Sequence, residues 1–176
     1  AGELHDALMQ RGAALVVETA EGIIQRNVET RVQRSFIQGS EVLRTAPKLT
    51  PALCHIDWND STRAVYNLVR GLSPFPGAFT HLVKEGEKPR ILKIFSCSEA
   101  PEGCIPQGAA PGSLHTDGRT SLAVATADGG LCLGSVQLEG KKRMDITDFL
   151  RGFHSPGQYG TSAGESRAEI EKSRKQ

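Results

Sequence analysis

Basic side chains are the residues of this sequence whose type and spacing most directly suggest a chemical role. Lys141, Lys142 and Arg143 follow one another directly after a predicted strand. Three adjacent cations can contact the phosphates of a nucleic acid, and such contacts position the polymer without reading its sequence. A solvated, lysine-rich turn explains the same run equally well. Arg70 and Lys93 are weaker candidates for the same binding role.

The histidines suggest no catalytic arrangement. One of them, His5, has a carboxylate neighbour in Asp6, but adjacent residues on a helix do not face each other, so we expect no working pair. The other four are isolated in the sequence: His55, His81, His115 and His154. No Ser/His/Asp or Cys/His arrangement and no phosphate-binding loop stands out. We therefore assign no catalytic residue.

The four cysteines predict neither a metal site nor a disulfide framework. Cys54, Cys97, Cys104 and Cys132 contain no Cys-x-x-Cys pair and no zinc-type spacing with histidine. Cys97 and Cys104 can close a loop if they are oxidised. Reduced thiols in a cytosolic protein are the favoured interpretation.

Composition and segment lengths limit the class of protein. The 176 residues carry a net charge of +1, with 38% hydrophobic and 23% charged residues, which is typical of a soluble globular chain. The longest early apolar run, residues 12–17, is too short to span a membrane and follows acidic rather than basic residues. We therefore expect a cytoplasmic protein without a membrane segment, in which any nucleic-acid contact comes from a local patch.

Aromatic residues make up only 5% of the chain. We assign Trp58, Phe75 and Phe79 to the hydrophobic core. Binding of single-stranded nucleic acid usually needs exposed aromatic rings on which the bases stack. The sequence therefore disfavours that mode of binding.

Periodicity predicts two helices in the first half of the chain. Residues 2–20 form an amphipathic pattern for which Gly22 supplies a stop. A second helix follows Asn59, Asp60 or Ser61, any of which can cap it, and Gly71 is its expected C-terminal stop.

The second half of the chain predicts short strands. Residues 79–83 and 90–96 flank a polar turn, residues 112–115 form a short strand, and residues 120–127 and 131–138 flank Asp128-Gly129-Gly130, a tight-hairpin signal. Residues 145–153 close this region as a short helix with Asp145 as its cap. Five or six short strands with a helix at each end predict a small closed or partly open barrel.

Two groups of motifs carry a family resemblance. The first is Ile56-Asp57-Trp58, Asn67-x-x-Arg70 and Pro74-Phe75-Pro76-Gly77-Ala78, which resembles the opening of the C-terminal domain of methionyl-tRNA formyltransferases. The second is the run 124–129 with 138–144 and Asp148-Phe149-Leu150, which is similar to the end of that domain. Their order and intervals both fit, and the resemblance covers roughly residues 1–155.

The resemblance implies a domain organisation. Residues 1–26 correspond to the terminal helix of a Rossmann-like catalytic domain, residues 27–50 to the interdomain linker and residues 51–157 to an OB-like domain. The fold class is thus mainly β with flanking helices. We expect residues 158–176 to be a disordered tail. The first helix has no catalytic sheet to cover, so we expect its apolar stripe to be exposed or folded onto the second domain.

The family's formyl-transfer signature is missing from the sequence. That signature is His-Gly-Ser-Leu-Leu-Pro, with a catalytic Asn and His nearby and an Asp further on. Gly112-Ser113-Leu114-His115 is only superficially similar, because no His precedes the Gly. The sequence therefore predicts the binding half of an enzyme without its chemistry.

The resemblance also implies a function. The family transfers a formyl group from the co-substrate 10-formyltetrahydrofolate to the amino group of initiator methionyl-tRNA. This part would help to bind the tRNA as a monomer, would hold no cofactor or metal and would be inactive alone. Two alternatives remain: another formyltransferase-superfamily enzyme, against which the run Gly140-Lys141-Lys142-x-Met144 argues, and a free-standing RNA-binding or interaction module.

Overall fold

The computed structural model describes residues 1–37, 39, 46, 48–153 and 159–161. They belong to two compact units, one of residues 2–48 and one of residue 1 with the residues from 49 onward. The first unit contains helix α1 (Gly2–Gln25) and a 3₁₀ helix (Gln33–Phe36). None of the side chains of α1 is buried, so of the two arrangements expected for its apolar stripe, exposed or folded onto the second domain, the structure has the exposed one.

Helix α1 runs five residues past its predicted end. Gly22 does not stop it, because the left-handed residue that ends the helix is Arg26, with φ of 55°. The amide of Arg26 donates to Ile23 O at 3.1 Å, and that of Asn27 donates to Gly22 O at 3.0 Å. These two bonds satisfy the last carbonyl groups in the pattern of a Schellman motif, which a non-glycine residue can adopt at some cost.

The second unit contains the sheet. Its elements are α2 (Pro51–Cys54), α3 (Thr62–Leu72), β1 (Ala78–Lys84), β2 (Arg90–Glu99), β3 (Leu114–Thr116), β4 (Leu122–Ala125), β5 (Gly130–Leu138), β6 (Met144–Asp145), α4 (Ile146–Arg151) and β7 (Tyr159–Thr161). The predicted strands and the predicted closing helix are all present, with ends shifted by a few residues. Helix α3 ends one residue beyond Gly71, where the amide of Ser73 donates to Val69 O at 3.1 Å.

The sheet curls into a nearly closed barrel. Its strand order is β3-β4-β5-β2-β1-β7, all pairs being antiparallel, and β6 pairs with β5. Strand β7, at one edge of the sheet, also meets the residues just before β3, at the other edge. Gly160 forms a bridge with Ser113, and Thr161 donates to Gly112 O from its amide at 3.3 Å and from its hydroxyl at 2.8 Å. The predicted mainly β, barrel-like class is confirmed.

Strand β7 falls within residues 158–176, for which the sequence predicts a disordered tail. At residues 159–161 the structure differs from that prediction, while 158 and 162–176 lie outside the described residues. The physical reason is pairing with distant partners. Tyr159 lies opposite Lys84 of β1, and its ring packs at a tilt against Phe153 with a centroid distance of 4.6 Å. Local composition cannot reveal such a partner.

The core fills the barrel with the inward side chains of its strands. In β1, Ala78, Thr80 and Leu82 are buried and alternate with more exposed neighbours, as the twofold repeat of a strand requires. Trp58 lies in this core, 1% exposed, and its indole N–H donates to the Thr80 hydroxyl at 3.1 Å. A buried polar side chain thus satisfies the one polar group of the largest core residue.

The predicted β-hairpin turn also caps a helix. Ser61 is the N-cap of α3, its hydroxyl accepting from the amide of Ala64 at 3.3 Å. The carboxylate of Asp128, in the β4–β5 turn, accepts from the Thr62 amide at 2.7 Å and the Thr62 hydroxyl at 2.8 Å. These bonds, first of all the one from the Thr62 amide, lower the pKa of Asp128. By contrast, Asp145 occupies the N-cap position of α4 but makes no capping bond with its side chain.

The β3–β4 connection is organised by one carboxylate. Asp117 accepts from the amides of Arg119, Thr120 and Ser121 at 2.8–2.9 Å and also from the Thr120 hydroxyl. These donors, led by the hydroxyl, hold the pKa of Asp117 well below its ordinary value. The ionised side chain therefore acts as the centre of this turn.

We predict that the indole–hydroxyl bond stabilises the fold measurably. Thr80→Val should lower the free energy of unfolding by about 1–3 kcal/mol, because the buried indole N–H loses its acceptor. In a Trp58→Phe background the same change should cost clearly less, since no N–H remains to be satisfied. Urea unfolding of the four proteins measures both costs. An equal cost in the two backgrounds would contradict the role of the bond.

We also predict a pH-dependent contribution from Asp117. A carboxyl group whose folded-state pKa is depressed adds stability above its unfolded pKa, and that stability is lost as the pH falls through the folded pKa. Wild type should therefore exceed Asp117→Asn in unfolding midpoint by a constant margin at pH 5–8. The margin should shrink below about pH 4, the ordinary aspartate pKa. A margin independent of pH down to pH 2 would show that ionisation of Asp117 is irrelevant.

Candidate nucleic-acid interface

The predicted binding cations lie on three parts of the second unit. The structure brings two of these cations, Lys93 and Arg143, into the neighbourhood of the Phe95 ring. Lys93 is in β2, while Lys141, Lys142 and Arg143 are in the turn between β5 and β6. Lys93 and the Phe95 ring both border Gly77, and Arg143 lies over the Phe95 ring. Arg70, in the last turn of α3, forms a separate cluster in which its guanidinium lies 5.7 Å from the Tyr66 ring and donates to Asn67 at 3.2 Å.

Lys93 and Phe95 share the outer face of the barrel. They alternate with the buried Leu92 and Ile94, so both side chains leave the core on the same side. The Lys93 ammonium donates to Pro76 O at 3.1 Å. A Cβ atom on Gly77 would lie 3.6 Å from the Lys93 stem and 3.3 Å from the Phe95 ring, and the φ of Gly77 is +86°. The turn can pass this close because the residue has no side chain.

Arg143 lies over the same phenyl ring. Its guanidinium carbon is 4.6 Å from the Phe95 centroid, and its Nε donates to the Ser135 hydroxyl at 2.8 Å. The ring contact is a cation–π interaction, and the hydrogen bond fixes the orientation of the guanidinium plane. Arg143 is nevertheless exposed to solvent, so its remaining N–H groups are in reach of a ligand.

Lys141 and Lys142 project from a tight turn. The Lys141 amide donates to Leu138 O at 2.9 Å, and the Gln137 side chain donates to Lys141 O at 2.9 Å, so the backbone of the turn is held. Both lysine side chains are exposed. The two ammonium groups are thus exposed to solvent on a hydrogen-bonded turn, an arrangement that is compatible with phosphate contact and with a solvated turn alike.

A cleft of about 550 Å³ opens at one end of the barrel beside Lys141. Lys84 and Arg90 also line it, with the Tyr159 ring 5.2 Å from the Lys84 ammonium. Lys84 is paired with Glu87 at 2.6 Å, and this hydrogen bond raises the pKa of Lys84 and lowers the pKa of Glu87. Sequence reasoning did not select Lys84 and Arg90, although their places on either side of one hairpin turn were a usable signal.

The assignment of aromatic side chains to the core is wrong for Phe75, and Phe79 is only half-buried. Trp58 is in the core as predicted, and Phe79 is half-buried beside His55, with ring centroids 5.1 Å apart. Phe75, however, is 85% exposed. It lies in the turn between α3 and β1, where no strand or helix repeat directs a side chain inward. Phe95 was overlooked, although its i,i+2 spacing from Lys93 places both on one face of a strand.

The sequence led us to expect no working pair between His5 and Asp6, and the structure differs from that expectation in bringing the two side chains into contact. His5 and Asp6 do meet, with Nδ1 and Oδ1 3.1 Å apart, but both side chains are largely exposed. Elsewhere, His55 and His81 lie side by side on the outer face, with ring nitrogens 3.2 Å apart. His154 lies outside the described residues.

The serine–histidine contact in the 112–115 run does not have the polarity of a nucleophile pair. The Ser113 hydroxyl lies 2.9 Å from His115 Nε2 and donates to Ala110 O at 2.6 Å. A hydroxyl has one proton, so the bond to the carbonyl leaves the histidine as donor to Ser113. An activated serine would instead donate to the histidine.

Other site chemistries find little support in the described part of the chain. There, no group of three or more His, Cys, Asp or Glu side chains is arranged to hold a metal ion. All four cysteines are free thiols, and burial raises the pKa of Cys97 to about 11. Among the same residues, no helix has the length and apolar character needed to cross a membrane.

Comparison with known proteins gives consistent matches. The family profile described as "Formyl transferase, C-terminal domain" matches residues 48–154. A methionyl-tRNA formyltransferase of Parabacteroides distasonis is 45% identical over 157 residues, covering 89% of this chain and 47% of the relative. Proteins of the same name from Bacteroides fragilis and Clostridium acetobutylicum are 41% and 34% identical, each covering 86% of this chain and 45% of the relative.

A solved structure shares the fold. A variant of HypX from Aquifex aeolicus matches with a TM-score of 0.54 at 20% identity, covering 78% of this chain and 22% of that one. At this identity the likeness concerns the fold alone. The chain spans about half the length of the curated relatives it matches. Since the family profile covers more than half of the residues of this chain, including strands β1 to β6 of the barrel, the chain belongs to the formyl transferase family, which it matches over that family's C-terminal domain.

Proposed function

We propose that this chain is the C-terminal part of a methionyl-tRNA formyltransferase. Such an enzyme transfers a formyl group from 10-formyltetrahydrofolate to the amino group of initiator methionyl-tRNA. The observation that carries the proposal is the 45% identity to a relative of that name over 157 residues. That alignment is longer than the barrel domain, which the family profile matches over 48–154, so the likeness also includes residues outside it.

The role of this part in the proposal is to hold the tRNA. The exposed Lys141 and Lys142, together with the Lys93–Phe95–Arg143 cluster, support contact with the phosphate backbone. The net charge of +1 gives the chain no strong overall attraction for RNA, so binding would depend on these local charges. Contacts of this kind position an RNA without selecting its sequence.

The proposal places formyl transfer outside this domain. Attack of an amine on a formyl donor needs a general base and a group that stabilises the developing oxyanion. The His-Gly-Ser-Leu-Leu-Pro signature that supplies these groups in the family is not in the sequence. A cytoplasmic location, a monomeric state and the absence of a cofactor from this part belong to the same proposal.

We predict that the purified chain does not formylate methionyl-tRNA. With 10-formyltetrahydrofolate as donor, product should stay at the level of a protein-free blank, while a full-length relative assayed in parallel should turn over. The reason is that the chain holds the RNA but provides no base beside the amine. Formylation above the blank, abolished by heating the chain, would place the chemistry within these 176 residues.

We further predict that the turn cations contribute separable phosphate contacts. Lys141→Ala combined with Lys142→Ala should weaken tRNA binding and reduce the slope of log affinity against log salt by roughly 1.5–2, because two ion-releasing contacts are lost. Arg143→Ala should reduce the slope by about half as much. Arg119→Ala, which removes an exposed cation from the β3–β4 turn, is the matched control and should change neither quantity. Wild-type affinity and slope in the lysine variant would leave this turn without a binding role.

A further inference from the structure

We propose that Phe75 is a stacking platform for an unpaired RNA base, with Lys93 and Arg143 placed to contact the phosphates beside that base. The inference rests on the proposed function and extends it. The interface would take a single-stranded stretch of RNA, and it would gain affinity from stacking as well as from charge. Sequence reasoning disfavoured this mode because aromatic residues are few and because Trp58, Phe75 and Phe79 were all assigned to the core; the exposure of Phe75 removes one of these grounds.

The exposure of Phe75 is unusual within its unit. Its ring is 85% exposed, whereas the buried aromatic side chains Trp58, Phe149 and Phe153 are 1–6% exposed. Because the Phe75 ring is not buried, it adds no hydrophobic stabilisation to the fold, and its apolar face is available to a ligand. Every nucleobase has a flat face that can stack on such a ring, whatever the sequence.

The turn that carries Phe75 is held at several points. The Ser73 and Gly77 amides donate to Val69 O and Leu72 O at 3.1 and 3.0 Å, which ties both ends of the turn to α3. The Lys93 ammonium binds Pro76 O at 3.1 Å. Prolines on both sides of Phe75 restrict the backbone further. The backbone that carries the ring is thus held, so that a ligand has to order only the side-chain torsions of Phe75.

The charges beside the ring favour RNA over an apolar protein surface. Lys93 is bound to the residue next to Phe75, and Arg143 lies over Phe95, whose ring is against the same turn at Gly77. In the part of the chain that the structure describes, neither cation is in a salt bridge. An apolar partner would desolvate both charges without compensation, whereas phosphates would pair with them.

These observations select an unpaired nucleotide rather than a duplex. In a duplex the base faces are covered by their neighbours, and side chains reach mainly the phosphates and sugars. A splayed base can place one face on Phe75 while its own backbone passes the two cations. The platform is therefore complementary to single-stranded RNA with stacking and phosphate contacts side by side.

The test measures binding of a fluorescein-labelled decaadenylate RNA to the full 176-residue chain by fluorescence anisotropy at several salt concentrations. Phe75→Ala and Phe75→Leu should each weaken binding roughly 5- to 100-fold, the loss typical of one stacked base, with an unchanged salt slope. Phe75→Tyr should retain affinity within about 2-fold, because it keeps the aromatic face. Val83→Ala, at another exposed apolar position of the same unit, should bind as wild type. The Phe75 variants should unfold at the wild-type temperature, since Phe75 is outside the core.

The outcomes separate this inference from the proposed function. If Phe75→Leu binds RNA as tightly as wild type, stacking is overturned. If Phe75→Ala leaves RNA affinity unchanged while the Lys141/Lys142 double variant weakens tRNA binding, stacking falls and the proposed tRNA contact stands. If Phe75→Ala instead weakens association with a separately purified catalytic domain of a relative and not with RNA, the ring belongs to a protein contact and stacking falls. If the wild-type chain binds neither the decaadenylate nor tRNA, the stacking role of Phe75 and the proposed tRNA contact both fail.

Discussion

The burial of Trp58 is the constraint on which the rest of the barrel depends. Its indole donates to Thr80 on β1, and its ring lies against Gly112, where an added Cβ would be 3.6 Å from it. Gly112 also accepts both bonds from Thr161 that close the sheet. Its φ of +83°, and the contact that a Cβ would make with the Thr161 hydroxyl, show why glycine is needed there. Core filling and barrel closure therefore share one position.

A packed interior determines what the outer face can carry. Because β1 and β2 turn alternate side chains into the core cluster that contains Trp58, the intervening residues must face outward, whatever their type. Lys93 and Phe95 reach the surface together for this reason, and the bend of the chain after β5 brings Arg143 onto the same ring. The position of the proposed RNA interface thus follows from the packing of the core and from the turn after β5, without a further structural element.

The electrostatic design is local. A chain with a net charge of +1 does not attract RNA as a whole, and several of its cations are already engaged. Lys84 pairs with Glu87, and Arg151 pairs with Asp148 at 2.7 Å. Lys141, Lys142, Lys93 and Arg143 are in no salt bridge within the residues described, so a polyanion would not have to displace a carboxylate from any of them.

The sequence by itself determined the features encoded over a few residues: the two helices, the strand alternation, the tight turn at Asp128, the core position of Trp58 and the family motifs. Only the tertiary structure decided which distant groups meet. Asp128 caps α3 across 66 residues of chain, β7 pairs with β1, and Arg143 covers Phe95. The exposure of Phe75 was also decided by the tertiary structure. The physical reason is that periodicity and turn chemistry act locally, whereas these contacts depend on strand register and on closure of the barrel.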